Sequence, residues 1–230
     1  MSANLRIPSL DGLRCVAVGL VLASHAFFDA GFESLIPGAL GVTIFFFLSG
    51  YLIGTLLRVE QQTNSRLDLR KFYARRALRI LPPMYIALGL AVLWGLYKTA
   101  TLNAPPMDWG VVIGQALHVT NYSIATQGFD ARVAPGTDIL WSLAVEEHFY
   151  LLYPMVFLLV WRLPTQRQRA SVLFALCGAL LAWRCVLYFG IHMRWEWNYA
   201  ATDARADSIL YGCALALWGN PALDPTRFSE

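Results

Sequence analysis

Five apolar runs, each about as long as a bilayer is thick, leave this chain few ways to fold. A hydrocarbon core about 30 Å thick takes roughly 20 mostly apolar residues per helix. Runs of that length fall at 13 to 29, 38 to 57, 80 to 99, 141 to 161 and 170 to 190, and a shorter one, 208 to 218, begins another. Composition agrees, because the 230 residues are 57% hydrophobic and 14% charged, where a soluble domain carries about 25% charged residues. The expected fold is all-α, a polytopic transmembrane helical bundle of about six helices.

The basic residues orient the bundle. Arg58, Arg66, Arg70, Lys71, Arg75, Arg76 and Arg79 crowd one connection, whereas Asp29 to Pro37 has none. The positive-inside rule therefore puts the basic connection from Arg58 to Arg79, and with it the N-terminus, in the cytoplasm. Arg162, Arg167 and Arg169 mark a second cytoplasmic loop. The first apolar segment carries Arg14 and His25 with no small-residue cleavage site after it, so it reads as a retained helix rather than a signal peptide. Trp109 to Ile124 is apolar but holds Gln115, His118, Asn121 and Tyr122, and a crossing there would break the parity between the basic loops. It reads as a re-entrant or interfacial helix on the outer side. No internal repeat or low-complexity tract divides the chain. It reads as one membrane domain over 1 to 219 with a short polar tail, 220 to 230.

Several function classes drop out. A net charge of +3 spread through the loops argues against nucleic acid. Cys15, Cys177, Cys185 and Cys213 lie in apolar stretches without CxxC spacing and read as small buried hydrophobes. No His, Cys, Asp or Glu group shows ligand spacing, so no metal is expected.

Ionisable residues inside apolar runs are expensive and are functional candidates by default. Arg14 and His25, eleven positions apart, fall within about 20° of one helix stripe and roughly 16 Å apart along the axis. Each also has a plainer reading, Arg14 snorkelling to the interface and His25 a satisfied interfacial histidine. Glu146 and Glu147 enter the membrane from the outer end of their helix, and Arg184 reaches a similar depth. Either they pair with it, or one helps to orient and deprotonate a substrate. Arg75, Arg76 and Arg79 share one helix face, suited to phosphates or simply to a solvated loop.

Read together, LDGLRCVAVGLVLASH (10 to 25), GVTIFFFLSGYLI (41 to 53), KFYARRALRILPPMY (71 to 85), ILWSLAVEEHFYLLYP (139 to 154) and DARADSILYGCALAL (203 to 217) resemble, in order, the motifs of the acyltransferase-3 family of integral membrane O-acyltransferases. Thr43 stands where that family usually has Asp, His148 where it has Gln, Tyr153 where Trp is common and Ala204 where Thr is common. These differences bear on substrate choice more than on reaction type. The family domain usually has about ten helices, so the resemblance implies a domain incomplete at its C-terminal end.

The resemblance implies transfer of an acyl group, commonly acetyl, from cytoplasmic acyl-CoA to a hydroxyl of a carbohydrate or other cell-envelope acceptor. His25 would be the base, Arg14 would lie on the donor's route, and Glu146 and Glu147 would assist. Arg75, Arg76 and Arg79, with Arg14, would hold the CoA. Trp141 and Ser142 would meet the acceptor, joined by Asp203, Arg205 and Asp207 in an outer loop, unless these three only cap and anchor the next helix. The lipid bilayer of the cytoplasmic membrane is the expected setting. The rival readings are a glycan or small-molecule transporter and a noncatalytic subunit that needs a complementing membrane chain.

Overall fold

The computed structural model describes residues 8–26, 37–129 and 131–224. The expected outer loop before Pro37 and the end of the polar tail therefore lie outside the described residues. Among those described, the secondary structure is helical throughout: α1 (Pro8–Ala26), α2 (Gly38–Asn64), α3 (Leu69–Thr101), α4 (Trp109–Ala116), α5 (Thr120–Gln127), α6 (Leu140–Trp161), α7 (Gln166–Cys185, continued by a π turn at Val186–Gly190), α8 (Trp195–Ala200) and α9 (Thr202–Trp218). Five of these, α1, α2, α3, α6 and α7 with its π turn, are long and apolar enough to cross a membrane. They coincide with the five runs. The sixth, α9, has 17 residues, about 25 Å of helix. The stretch from Trp109 makes two helices of eight residues each, far too short to span.

Helix starts follow local chemistry. The Asp68 carboxylate accepts from the Lys71 N–H at 3.0 Å to open α3, and Asp108 accepts from Gly110 N–H at 2.8 Å to open α4. Thr165 and Gln168 form a reciprocal capping box before α7, at 3.2 and 3.3 Å.

The chain divides into two compact units, residues 1–65, 157–178 and 207–230 in the first, and 66–156 and 179–206 in the second. In the first, α2 meets α9 through small residues. A Cβ on Gly50 would strike the Ile209 carbonyl, and one on Gly212 the Phe47 carbonyl, so only glycine permits this approach. Gly50 and Gly54 form a GxxxG pair, the spacing that lets helix backbones touch in lipid. Cys213 donates its thiol to the Gly50 carbonyl at 3.1 Å.

Below this contact lies a polar network that corrects the topological reading of Arg58. Instead of a solvated loop residue, Arg58 is a helical side chain only 1% exposed. Its guanidinium donates to the Asp224 carboxylate at 2.5 and 2.8 Å and to the Ala216 carbonyl at 3.1 Å. Asn220, fully buried, donates its amide to Thr55 Oγ1 at 2.8 Å. The segment from Asn220 to Asp224 is thus bonded into the unit rather than hanging as a free polar end. Helix α2 continues to Asn64 and α3 begins at Leu69, so most of the expected basic loop is helix. Among the cysteines, Cys177 and Cys213 are buried as expected, whereas Cys15 and Cys185 are exposed. Their helix faces point outward, and a thiol is apolar enough for lipid.

In the second unit, α3 packs along α6 and α4. Tyr73 donates its hydroxyl to the Leu151 carbonyl at 2.9 Å, and Tyr85 donates to the Ala116 carbonyl at 3.0 Å. Gln115, 1% exposed, donates to Thr137 Oγ1 at 2.6 Å and accepts from Ala134 N–H at 3.3 Å, closing the loop before α6.

Candidate active site

The candidate side chains divide between the units. In the first, α1 is continuous from Pro8 to Ala26, so Arg14 and His25 keep one stripe. His25 lies in the last turn, exposed, and among the described residues its ring has no hydrogen-bond partner. Arg14 is half-buried and pairs with Asp11 at 3.3 Å. Asp207 is buried, and its carboxylate accepts from the Ser208 N–H at 2.7 Å.

The second unit holds the remaining candidates. The Arg76 guanidinium lies 4.1 Å over the Tyr150 ring, and its charge acts on Glu147. Sequence reading set Arg76 and Glu147 near opposite membrane surfaces. The structure brings them together, because the basic turns that open the 33-residue α3 lie beside the middle of α6. Arg75 and Arg79 are exposed. Glu146 is buried, and Glu147 keeps one oxygen out of solvent without a hydrogen-bond partner.

Trp141, Ser142, Asp203 and Arg205 lie toward the start of α6 and of α9. Asp203, Arg205 and Asp207 belong to α9 itself, not to a loop: the helix begins at Thr202, six residues before the apolar run, favoured by the alanines at 204 and 206. Tyr199 of α8 sits between two of the candidates, its ring 4.8 Å from that of Trp141 and 5.7 Å from the buried Arg205 guanidinium. Burial pushes the Tyr199 phenol above its usual pKa against the opposing pull of Arg205. Ser142 donates its hydroxyl to the Ile139 carbonyl at 3.0 Å. Asp203 accepts two indole N–H groups on one oxygen, from Trp183 at 2.9 Å and Trp197 at 3.3 Å.

Sequence reasoning missed the polar knot beside them. His148 Nδ1 and Thr202 Oγ1 are 2.7 Å apart, and Asn121 donates to the same Thr202 oxygen at 3.0 Å. The signal was present, since His148 is an ionisable side chain inside an apolar run next to two glutamates. His118 closes the group. It takes a left-handed backbone conformation, φ 58°, between α4 and α5, and its Nε2 is buried without a partner.

Burial first, and the charge of His148 second, hold His118 below its usual pKa. The folded state therefore binds this proton more weakly than the unfolded state, whose pKa is about 6.5. Stability is full above that value and is lost as pH falls toward the lower folded pKa. Melting temperature in detergent should drop between pH 7.5 and 5.5, and His118→Asn, which also suits the left-handed backbone, should flatten the drop.

Long apolar helices with ionisable groups among them define a polytopic membrane protein. The chain belongs to the acyltransferase-3 family, whose acyltransferase-domain model matches residues 7–217. It is 34% identical over 227 residues to the peptidoglycan O-acetyltransferase OatA of Listeria monocytogenes, an alignment covering 95% of this chain and 35% of that protein. It is 32% identical over 219 residues to the O-acetyltransferase OatA of Staphylococcus aureus, covering 92% of this chain and 35% of that one. The chain thus spans about a third of the length of these relatives. No solved structure matches it.

Proposed function

We propose that the chain is the membrane part of an O-acetyltransferase that moves an acetyl group from acetyl-CoA, bound from the cytoplasm, to a hydroxyl of a cell-envelope carbohydrate. The observation that carries this reading is the imidazole of His25, exposed at a helix end, unbonded among the described residues and on one stripe with Arg14. A histidine near neutrality is a good general base. In the transfer, the thioester C–S bond breaks, a C–O bond forms to the acceptor, and His25 takes the hydroxyl proton and passes it to the departing sulfur, so that CoA leaves as the thiol. Arg14 guides the donor, and Glu146 and Glu147 supply the further carboxylates. Trp141, Ser142, Asp203, Arg205 and Asp207 serve the acceptor. The two peptidoglycan- and O-acetyltransferase relatives support the acetyl group and the envelope acceptor.

The protein works in the cytoplasmic membrane with its N-terminus inside, following the basic residues from Arg66 to Arg79 and from Arg162 to Arg169. Residues 1 to 219 form the acyl-transfer domain, and any complementing membrane subunit would co-purify with it. The purified chain, incubated with labelled acetyl-CoA and peptidoglycan glycan strands, should release CoA and label the glycan. Glycan movement across vesicles without thioester consumption would establish a transporter instead.

The exposed Arg79 and half-buried Arg76 are the donor's phosphate ligands in this reading. Each charge-assisted contact is worth about 1.5 to 3 kcal/mol. Arg79→Ala should therefore weaken acetyl-CoA binding roughly ten- to hundredfold with the melting temperature unchanged. Arg76→Ala should weaken binding and also destabilise, because it removes the stack on Tyr150 and the charge beside Glu147. Unchanged affinity in both variants, by isothermal titration, would return these arginines to a purely topological role.

A further inference from the structure

We propose that His148 selects the acceptor: a directed chain of hydrogen bonds fixes the proton of its imidazole on Nε2, where it donates to the acetamido carbonyl of an N-acetylated sugar. The proposal rests on the transfer to a carbohydrate and names the class of sugar that this transfer takes.

The direction of the chain follows from what each group can do. The Ala200 carbonyl only accepts, so the fully buried Asn121 amide, 3.3 Å away, must turn its nitrogen toward it. The second hydrogen of that nitrogen goes to Thr202 Oγ1 at 3.0 Å. Thr202 therefore accepts from Asn121 and has one hydrogen of its own to give, and His148 Nδ1 lies 2.7 Å from its oxygen. With Nδ1 accepting, the proton of the neutral ring sits on Nε2. The other tautomer would aim two donors at Thr202 Oγ1 and leave its hydroxyl hydrogen without an acceptor among the described residues.

The Nε2–H so fixed has no acceptor among the described residues, and the ring is only partly buried. Contacts tie it to the acceptor candidates. Tyr122 lies 6.1 Å from the His148 ring and 5.9 Å from that of Trp197, whose indole donates to Asp203, and Thr202 adjoins Asp203 in the chain. A neutral N–H held in one tautomer satisfies a carbonyl oxygen, which only accepts, and opposes an ammonium, which only donates. Glutamine, usual at this position in the family, has both an N–H and a carbonyl and can serve either kind of group by turning its amide. His148 thus narrows the choice to sugars that carry an amide carbonyl in place of a free amine. The competing role is structural, a tie from α5 and α6 to the start of α9.

The test uses the chain in lipid nanodiscs with two soluble β-1,4-linked tetramers, one of N-acetylglucosamine and one of glucosamine, at pH 6, where the free amines are protonated. Saturation-transfer NMR titration gives the ratio of their Kd values, and acetyl-CoA consumption gives turnover. The unmodified chain should favour the N-acetylated tetramer, and His148→Gln should shrink that preference about tenfold, the effect of one neutral hydrogen bond. Thr202→Val, which removes the hydroxyl and frees the tautomer, should shrink it too, whereas Thr202→Ser should retain it. An unchanged preference in His148→Gln and Thr202→Val, with only the melting temperature lowered, would make the chain a structural tie and overturn the proposal while transfer to carbohydrate stands. Equal affinity of the unmodified chain for both tetramers would overturn it in the same way. If the unmodified chain consumes acetyl-CoA but neither binds nor acetylates the tetramers or longer glycan strands, the carbohydrate acceptor itself falls.

Discussion

His25→Ala is expected to leave the protein inserted, folded and able to bind acetyl-CoA, yet to lower single-turnover acyl transfer by about 10² to 10⁴, the usual contribution of a general base. Stability should hardly move, because the ring is exposed and among the described residues bonds to nothing. Arg14→Ala should behave differently. Its guanidinium, about three turns away along α1, is half-buried and among the described residues pairs with the partly exposed Asp11, so its loss should raise the donor Kd more than it slows the chemical step. Rates measured across pH 5.5 to 8.5 separate the two, since the His25 variant alone should lose the limb that reports the base. Near-normal single-turnover rates for His25→Ala would pass the role of base to Glu146 or Glu147.

Arg58→Ala carries the largest expected loss of stability. The guanidinium is buried, and removing it takes the charged partner from the Asp224 carboxylate, which keeps the Asn220 N–H, and a donor from the Ala216 carbonyl. Breaking such a pair from one side typically costs about 3 to 5 kcal/mol. The double variant Arg58→Met with Asp224→Leu should recover much of that, because two apolar side chains leave no buried charge behind. Chemical unfolding in detergent, followed by circular dichroism, measures both. Equal stability of Arg58→Ala and the unmodified chain would show that the Asn220–Asp224 segment is not held by this network.

What the linear chain declares and what it conceals divide along the range of the forces involved. Length and apolarity of a segment are local properties, so the five long helices, and the absence of a spanning helix from Trp109 to Ile124, were open to reading before any contact was known. The motifs from Arg14 to Leu217 were likewise enough to point to the family that the match over residues 7–217 establishes. Side-chain partners were another matter. Charge counting assigned Arg58 to water, and only the return of the chain at Asp224, 166 positions later, explains its burial. Apolarity began the last helix at 208, although Thr202 already starts it and receives Asn121 and His148 there. The register that lays Arg76 on Tyr150, and the turn that puts Trp197 and Trp183 on one carboxylate, likewise join residues far apart in order. Hydrophobic length is decided residue by residue against the bilayer. A buried charge or hydroxyl is stable only where a distant donor or acceptor meets it, and that meeting belongs to the tertiary structure alone.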